Sequence, residues 1–178
     1  IDEKAVAGYD EDALTMAYES ASMALSDFGD RKKIGGVFVG SESHPYVVNP
    51  TSTTLAEYLG IGNEYLAYDT QFACKAATGV FISGVSLVKS DMAEYVLVSA
   101  TDKATGRTGD ALEYSAGSAS ASFVIGKKNV ILEFVDAVSF SSDTPDFWRR
   151  HGRIFPSHAG RFTGKPGYFF HVESAVRL

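Results

Sequence analysis

The chain has 178 residues, enough for one domain with a true core, and its 45% hydrophobic and 21% charged residues are an ordinary globular balance. A formal net charge of -6, with Arg31-Lys32-Lys33 as the longest basic run, argues against non-specific nucleic-acid binding. No apolar stretch reaches the roughly 18 residues needed to cross a bilayer, and the acidic opening IDEKAVAGYDED lacks the basic-then-apolar pattern of a signal peptide. Because there is only one cysteine, no internal disulfide framework is expected, which fits a reducing, cytoplasmic setting.

In chain order, residues 10–28 read as an amphipathic helix. Asp10 stands at the expected N-cap, apolar residues recur from Leu14 to Phe28, and Gly29 is the expected stop. IGGVFVG (34–40) reads as a short buried strand, followed by a polar loop, a short helix over 52–59 ended by Gly60, and a strand over 64–69. After Cys74 the helical spacing of Ala77, Phe81, Val85 and Val88, with few bulky residues, predicts a closely packed central helix. EYVLVSA (94–100), SASASFVIG (118–126) and VILEFVDAVSF (130–140) read as strands, the last two joined by a Gly-Lys-Lys-Asn turn into an antiparallel pair. A short helix is expected to begin within 143–150, an irregular loop covers 155–167, and a helix begins at Tyr168. Helices and strands in alternation predict an α/β layered, mixed sheet. The chain starts at Ile1 and stops at Leu178 within a helical pattern, which reads as a segment of something longer.

Cys74 falls after a predicted strand and at the start of a predicted helix. The partial positive charge and free N–H groups of a helix start favour a thiolate and could stabilise an oxyanion. On residues alone, Cys74 is as readily a small buried hydrophobe, Glu42 an exposed loop carboxylate, Ser115 a turn serine and Arg161 a surface-paired arginine. No Cys/His spacing suggests a metal site, and no G-x-G-x-x-G follows a strand.

GSESHPYVVNPTSTT, QFACKAATG, GDALEYSAG and PSHAGRFTGKPGYF keep their order along the chain, and together they resemble the archaeal type of hydroxymethylglutaryl-CoA synthase, in the thiolase superfamily. The resemblance implies a thiolase-like fold. About 1–128 would form most of its N-terminal half, without the opening strand, and about 129–178 the start of its C-terminal half. It implies condensation of acetyl-CoA with acetoacetyl-CoA through an acetyl-cysteine intermediate, with Cys74 as acyl carrier and Glu42 as the base. A carboxylate raised in pKa by a dry site would serve that role well. By the same resemblance Ser115 and Thr163 contact the acyl portion and Arg161 the CoA moiety. No cofactor beyond the CoA thioester substrates is implied.

The family's catalytic histidine lies in a His-Gln-Pro-Asn type motif that none of His44, His151, His158 and His171 matches; His171 reads as a helix-face residue. Implied partners are a second copy, or more, joined through the first-half sheet, and a complex with acetoacetyl-CoA thiolase and a small OB-fold protein. Two other readings stay open. One is a ketoacyl synthase III-like enzyme, which pairs Cys with His and Asn and needs no glutamate at position 42. The other is a catalytically inactive fragment or scaffold subunit.

Overall fold

The computed structural model describes residues 2–178. They divide into two compact units. One runs up to Ala104 and includes Ser115–Leu132; the other joins Thr105–Tyr114 to Glu133–Leu178.

The first unit is a four-stranded mixed sheet with helices on both faces. Its strands are β1 (Ile34–Gly40), β2 (Leu66–Thr70), β3 (Tyr95–Lys103) and β4 (Ser118–Gly126), in the order β2-β1-β3-β4. β1 runs parallel to β2 and β3, and β4 closes the edge antiparallel to β3. Alternation along the strands sorts the core into two layers. Val37, Val39 and Leu97 pack with Leu14, Ala17, Ala21 and Leu25 of α1 (Ala13–Ala24) and Leu55 and Ala56 of α2 (Thr51–Tyr58). On the other face, Phe38, Val96 and Val98 pack with Val80 and Val88 of α3 (Ala76–Lys89).

Several boundaries differ from the sequence reading. Helix α1 starts after Asp12, not Asp10, because Asp12 accepts the Thr15 N–H at 2.8 Å while the Thr15 hydroxyl accepts the Asp12 N–H at 2.8 Å, a reciprocal cap. The helix ends at Ala24. Leu25 and Phe28 still reach the core through tight turns, with Ser26 N–H on Met23 O and Phe28 N–H on Leu25 O. Helix α2 carries no cap from its own Pro50. Instead the Asp69 carboxylate of β2 accepts the Thr51 and Ser52 N–H groups at 2.5 and 2.9 Å.

The expected strand over 130–140 does not form. Strand β4 takes β3 as its partner, and the 130–138 stretch has no ladder of its own, so Ile131 and Val135 are left 95% and 83% exposed. The turn before it does form: Asn129 has a positive φ of 54°, and Lys127 and Lys128 pair with Asp91 and Glu94.

In the second unit the expected short helix over 143–150 is replaced by strand β5 (Phe147–Trp148), which pairs antiparallel with β6 (Ser157–His158) inside the expected loop. The helix expected from Tyr168 begins earlier. A wide π-type turn over Thr163–Phe169 contains Pro166 and runs into α4 (Phe170–Val176). The missing proline N–H suits a stretch in which the regular bonding is already broken. His171 holds that turn, with its ring on Gly167 O at 2.5 Å and Ser142 Oγ at 2.9 Å.

Candidate active site

Strand β1 is the point at which the chain order reverses, since β2 lies on one side of it and β3 on the other. In open α/β sheets the crevice outside the carboxyl ends of such strands is where ligands bind. Glu42 follows the end of β1 and Cys74 follows the end of the adjacent parallel strand β2, so both stand at one edge of the sheet.

Two features draw the Cys74 turn to the end of β1. A Cβ on Gly40 would lie 2.5 Å from Ala77 Cα and N and 2.7 Å from the Ala76 carbonyl carbon, so only glycine allows α3 to start against this strand. Thr70 then ties the two segments: its carbonyl accepts the Ser41 N–H at 3.1 Å, and its hydroxyl donates to Ala76 O at 3.0 Å.

Cys74 itself is exposed, in a single tight turn (Ala73–Lys75) leading into α3. It is therefore not the small buried hydrophobe that composition alone allowed. No side chain caps the turn or the helix; the turn closes on its own backbone, with Lys75 N–H on Phe72 O at 2.9 Å and Ala76 N–H on Ala73 O, and Cys74 stands at the positive end of α3. Ala73 is held at a φ of 41°, in the left-handed region that an alanine avoids. Such strain is typical of sites where the surrounding structure dictates side-chain direction.

Glu42 is half-buried with its Oε1 withdrawn from solvent, so it is not an exposed loop carboxylate. Its backbone is held by a residue the sequence reading did not single out. Asp102, near the end of β3, accepts the Glu42 N–H at 3.2 Å and the Ser43 hydroxyl at 2.7 Å, and Ser43 Oγ in turn accepts the Lys103 N–H at 2.7 Å. The signal for Asp102 was the first acidic residue after the apolar run of β3. His44, near Glu42 in sequence, belongs to the scaffold. Its ring bonds Thr51 Oγ1 at 2.8 Å and Thr70 O at 3.2 Å and lies 3.7 Å from Asp69, with 6% of the side chain exposed.

Ser115 is exposed, immediately after the short turn Ala111–Tyr114 and just before β4. Arg161 and Thr163 lie in the second unit. Arg161 is exposed, whereas the Thr163 hydroxyl donates to Asp146 O at 3.0 Å, so toward a ligand it can only accept. The segment before them is anchored at His158, whose Nδ1 accepts the Gly160 N–H at 3.1 Å and whose Nε2 meets Asp110 Oδ1 at 3.1 Å. That hydrogen bond from His158 is the main reason the Asp110 carboxyl sits below its ordinary pKa. Among the described residues, no group of three or more His, Cys, Asp or Glu is placed to hold a metal ion, and no helix is long and apolar enough to cross a membrane.

No family model matches the chain. The hydroxymethylglutaryl-CoA synthases of Archaeoglobus fulgidus and Methanocella arvoryzae are 52% and 49% identical to it over 178 residues, covering 99% and 100% of this chain and 52% and 51% of their own. The chain is a homologue of the hydroxymethylglutaryl-CoA synthases. It spans about half the length of the curated relatives it matches. A solved HMG-CoA synthase complexed with CoA superposes with a TM-score of 0.90 at 25% identity, over 97% of this chain and 44% of that one. The layered sheet of this synthase homologue is thus the thiolase-like one, and Cys74 and Glu42 stand at the carboxyl edge of that sheet.

Proposed function

We propose that this chain carries the nucleophile and the base of a hydroxymethylglutaryl-CoA synthase, acting on acetyl-CoA and acetoacetyl-CoA in the step before mevalonate. The observation that supports this reading best is the placement of an exposed cysteine, just before α3, and a glutamate of buried Oε1 at one edge of the sheet, after adjacent parallel strands joined through Thr70. A ketoacyl synthase III-like enzyme has no use for a glutamate held at this place.

In this reading the Cys74 thiolate attacks the acetyl-CoA carbonyl, the positive end of the α3 dipole favours both the thiolate and the oxyanion, and CoA leaves, taking up the proton that Cys74 gave up, as its thiol. Glu42 then takes a proton from the methyl group of acetyl-Cys74. The resulting enolate attacks the ketone carbon of acetoacetyl-CoA, forming the new C–C bond, and the alkoxide is protonated to the tertiary alcohol by a group that we do not assign to this chain. Water cleaves the thioester, releasing hydroxymethylglutaryl-CoA and restoring Cys74.

Ser115 donates to the acyl portion and Thr163 accepts from it. Arg161 binds CoA phosphate, for which its planar, permanently charged fork is suited. No cofactor beyond the CoA thioesters takes part. We place the enzyme in the cytoplasm as an archaeal-type synthase. It would pair with at least a second copy through the first-half sheet, and it would assemble with acetoacetyl-CoA thiolase and an OB-fold protein.

Glu42→Ala in the full-length protein tests the core of the reading. Condensation should fall by at least about 100-fold, the scale of a lost general base, while mass spectrometry still shows one acetyl group on Cys74. Condensation that survives the substitution would overturn the assignment.

A further inference from the structure

We infer that Asp102, working through Ser43, is the positioning residue for the Glu42 base. This deepens the proposed function and rests on Glu42 being that base.

The argument starts from register. Strand β1 ends at Gly40, opposite Ala100, but β3 continues to Lys103. The overhang carries Asp102 past the point where β1 stops and its chain turns into Ser41-Glu42-Ser43. Alternation along β3 fixes the direction. Val96 and Val98 face α3, and Thr101 faces α1, donating to Ala13 O at 2.8 Å. Asp102 is therefore on the α3 face, the side on which the Cys74 turn begins.

There the carboxylate uses both oxygens: Oδ2 accepts the Glu42 N–H and Oδ1 the Ser43 O–H. Ser43 is fixed again by the Lys103 N–H on its Oγ, and its own N–H donates to Ser41 Oγ at 3.0 Å. The residues on both sides of Glu42 are thus bound, and its own amide is held by a charged acceptor, the stronger kind of hydrogen bond.

This arrangement matches what proton abstraction needs. The base must meet a methyl group within hydrogen-bond reach, and an error of about 1 Å can cost on the order of 100-fold in rate. A loop glutamate would otherwise carry its backbone freedom into the site. Asp102 touches neither substrate nor the reacting atoms in this scheme. Its effect is confined to where Glu42 begins.

The test uses the full-length protein with Asp102→Ala, Asp102→Asn and Ser43→Ala, and reads two half-reactions separately. The first is acetylation of Cys74 by acetyl-CoA. The second, in D2O without acetoacetyl-CoA, is deuterium uptake into the acetyl group bound to Cys74, which reports proton abstraction alone. Asp102→Ala should lower deuterium uptake and condensation kcat by about 10- to 100-fold, with acetylation rate and the KM for acetyl-CoA within about twofold. Asp102→Asn keeps one acceptor oxygen and should recover part of the loss. Ser43→Ala, which leaves the carboxylate in place, should fall between wild type and Asp102→Ala.

Equal loss in both half-reactions would mark Asp102 as a general scaffold residue and overturn the inference, as would unchanged deuterium uptake in Asp102→Ala and Ser43→Ala. Glu42→Ala run alongside separates the two levels: if it retains deuterium uptake, the proposed base is wrong; if it loses uptake while Asp102→Ala does not, only the positioning role fails.

Discussion

Strand β3 and the 130–138 stretch have nearly the same apolar character and opposite fates. Val96, Leu97 and Val98 are buried, flanked by β1 and β4 in the sheet and covered by helices on both faces. Ile131, Leu132, Val135 and Val138 are exposed and belong to no sheet. Burial is conferred by partners on every side, and an apolar run without them keeps its surface in water. Where burial is scarce, the second unit is tied by polar contacts instead. The Asp146 carbonyl takes both the Ala159 N–H and the Thr163 hydroxyl, and His158 joins Asp110 to Gly160.

The largest expected effect tests the buried side. Phe38 is fully enclosed and stacks at 4.3 Å from Tyr68, so Phe38→Ala should cost about 3–5 kcal/mol and lower Tm by about 10 °C, followed by calorimetry. A cost near zero would mean that this layer is not packed as described.

Asp110→Asn examines the polar ties. The Asp110 carboxyl has a lowered folded pKa, so its contribution is fully present above the unfolded value of 3.8 and is lost as pH falls through the lower folded value. In urea titrations at stepped pH, wild type should be the more stable at neutral pH, and the gap should close only in that acidic window. A gap independent of pH would show that the carboxylate charge plays no part.

The smallest effect belongs to the exposed stretch. Ile131→Ser should change stability by no more than about 0.5 kcal/mol, while reducing self-association seen by light scattering. A cost matching that of Phe38→Ala would erase the contrast between the two regions.

What the sequence made legible follows the same line. Strands β1 and β4 have the expected bounds because their bulky residues sit between glycines or among alternating serines, and tertiary partners agree with that local pattern. The start of α1 was misplaced at Asp10 because three acidic residues in a row are equal until Thr15 is seen to complete the cap with Asp12. The 130–140 run has strand-forming residues, and its failure to pair cannot be read from those residues, since it depends on β4 having chosen β3. At the candidate site, Cys74 and Glu42 stood out through their motifs. Thr70 and Asp102 did not, because each acts on a segment distant in sequence: Asp102 reaches Glu42 and Ser43, 60 and 59 positions away.

Gly40 sets how the two sides of the site can vary. Where α3 meets the end of β1 the contact is backbone against backbone, with no side chain between them to grow or shrink. The spacing from the Cys74 turn to the Glu42 loop is therefore a fixed dimension, like the gauge of a track, indifferent to drift in the surrounding core. Any remodelling of the candidate site for a longer or bulkier ligand has to come from the loops around this junction, because the junction itself offers no side chain to trim.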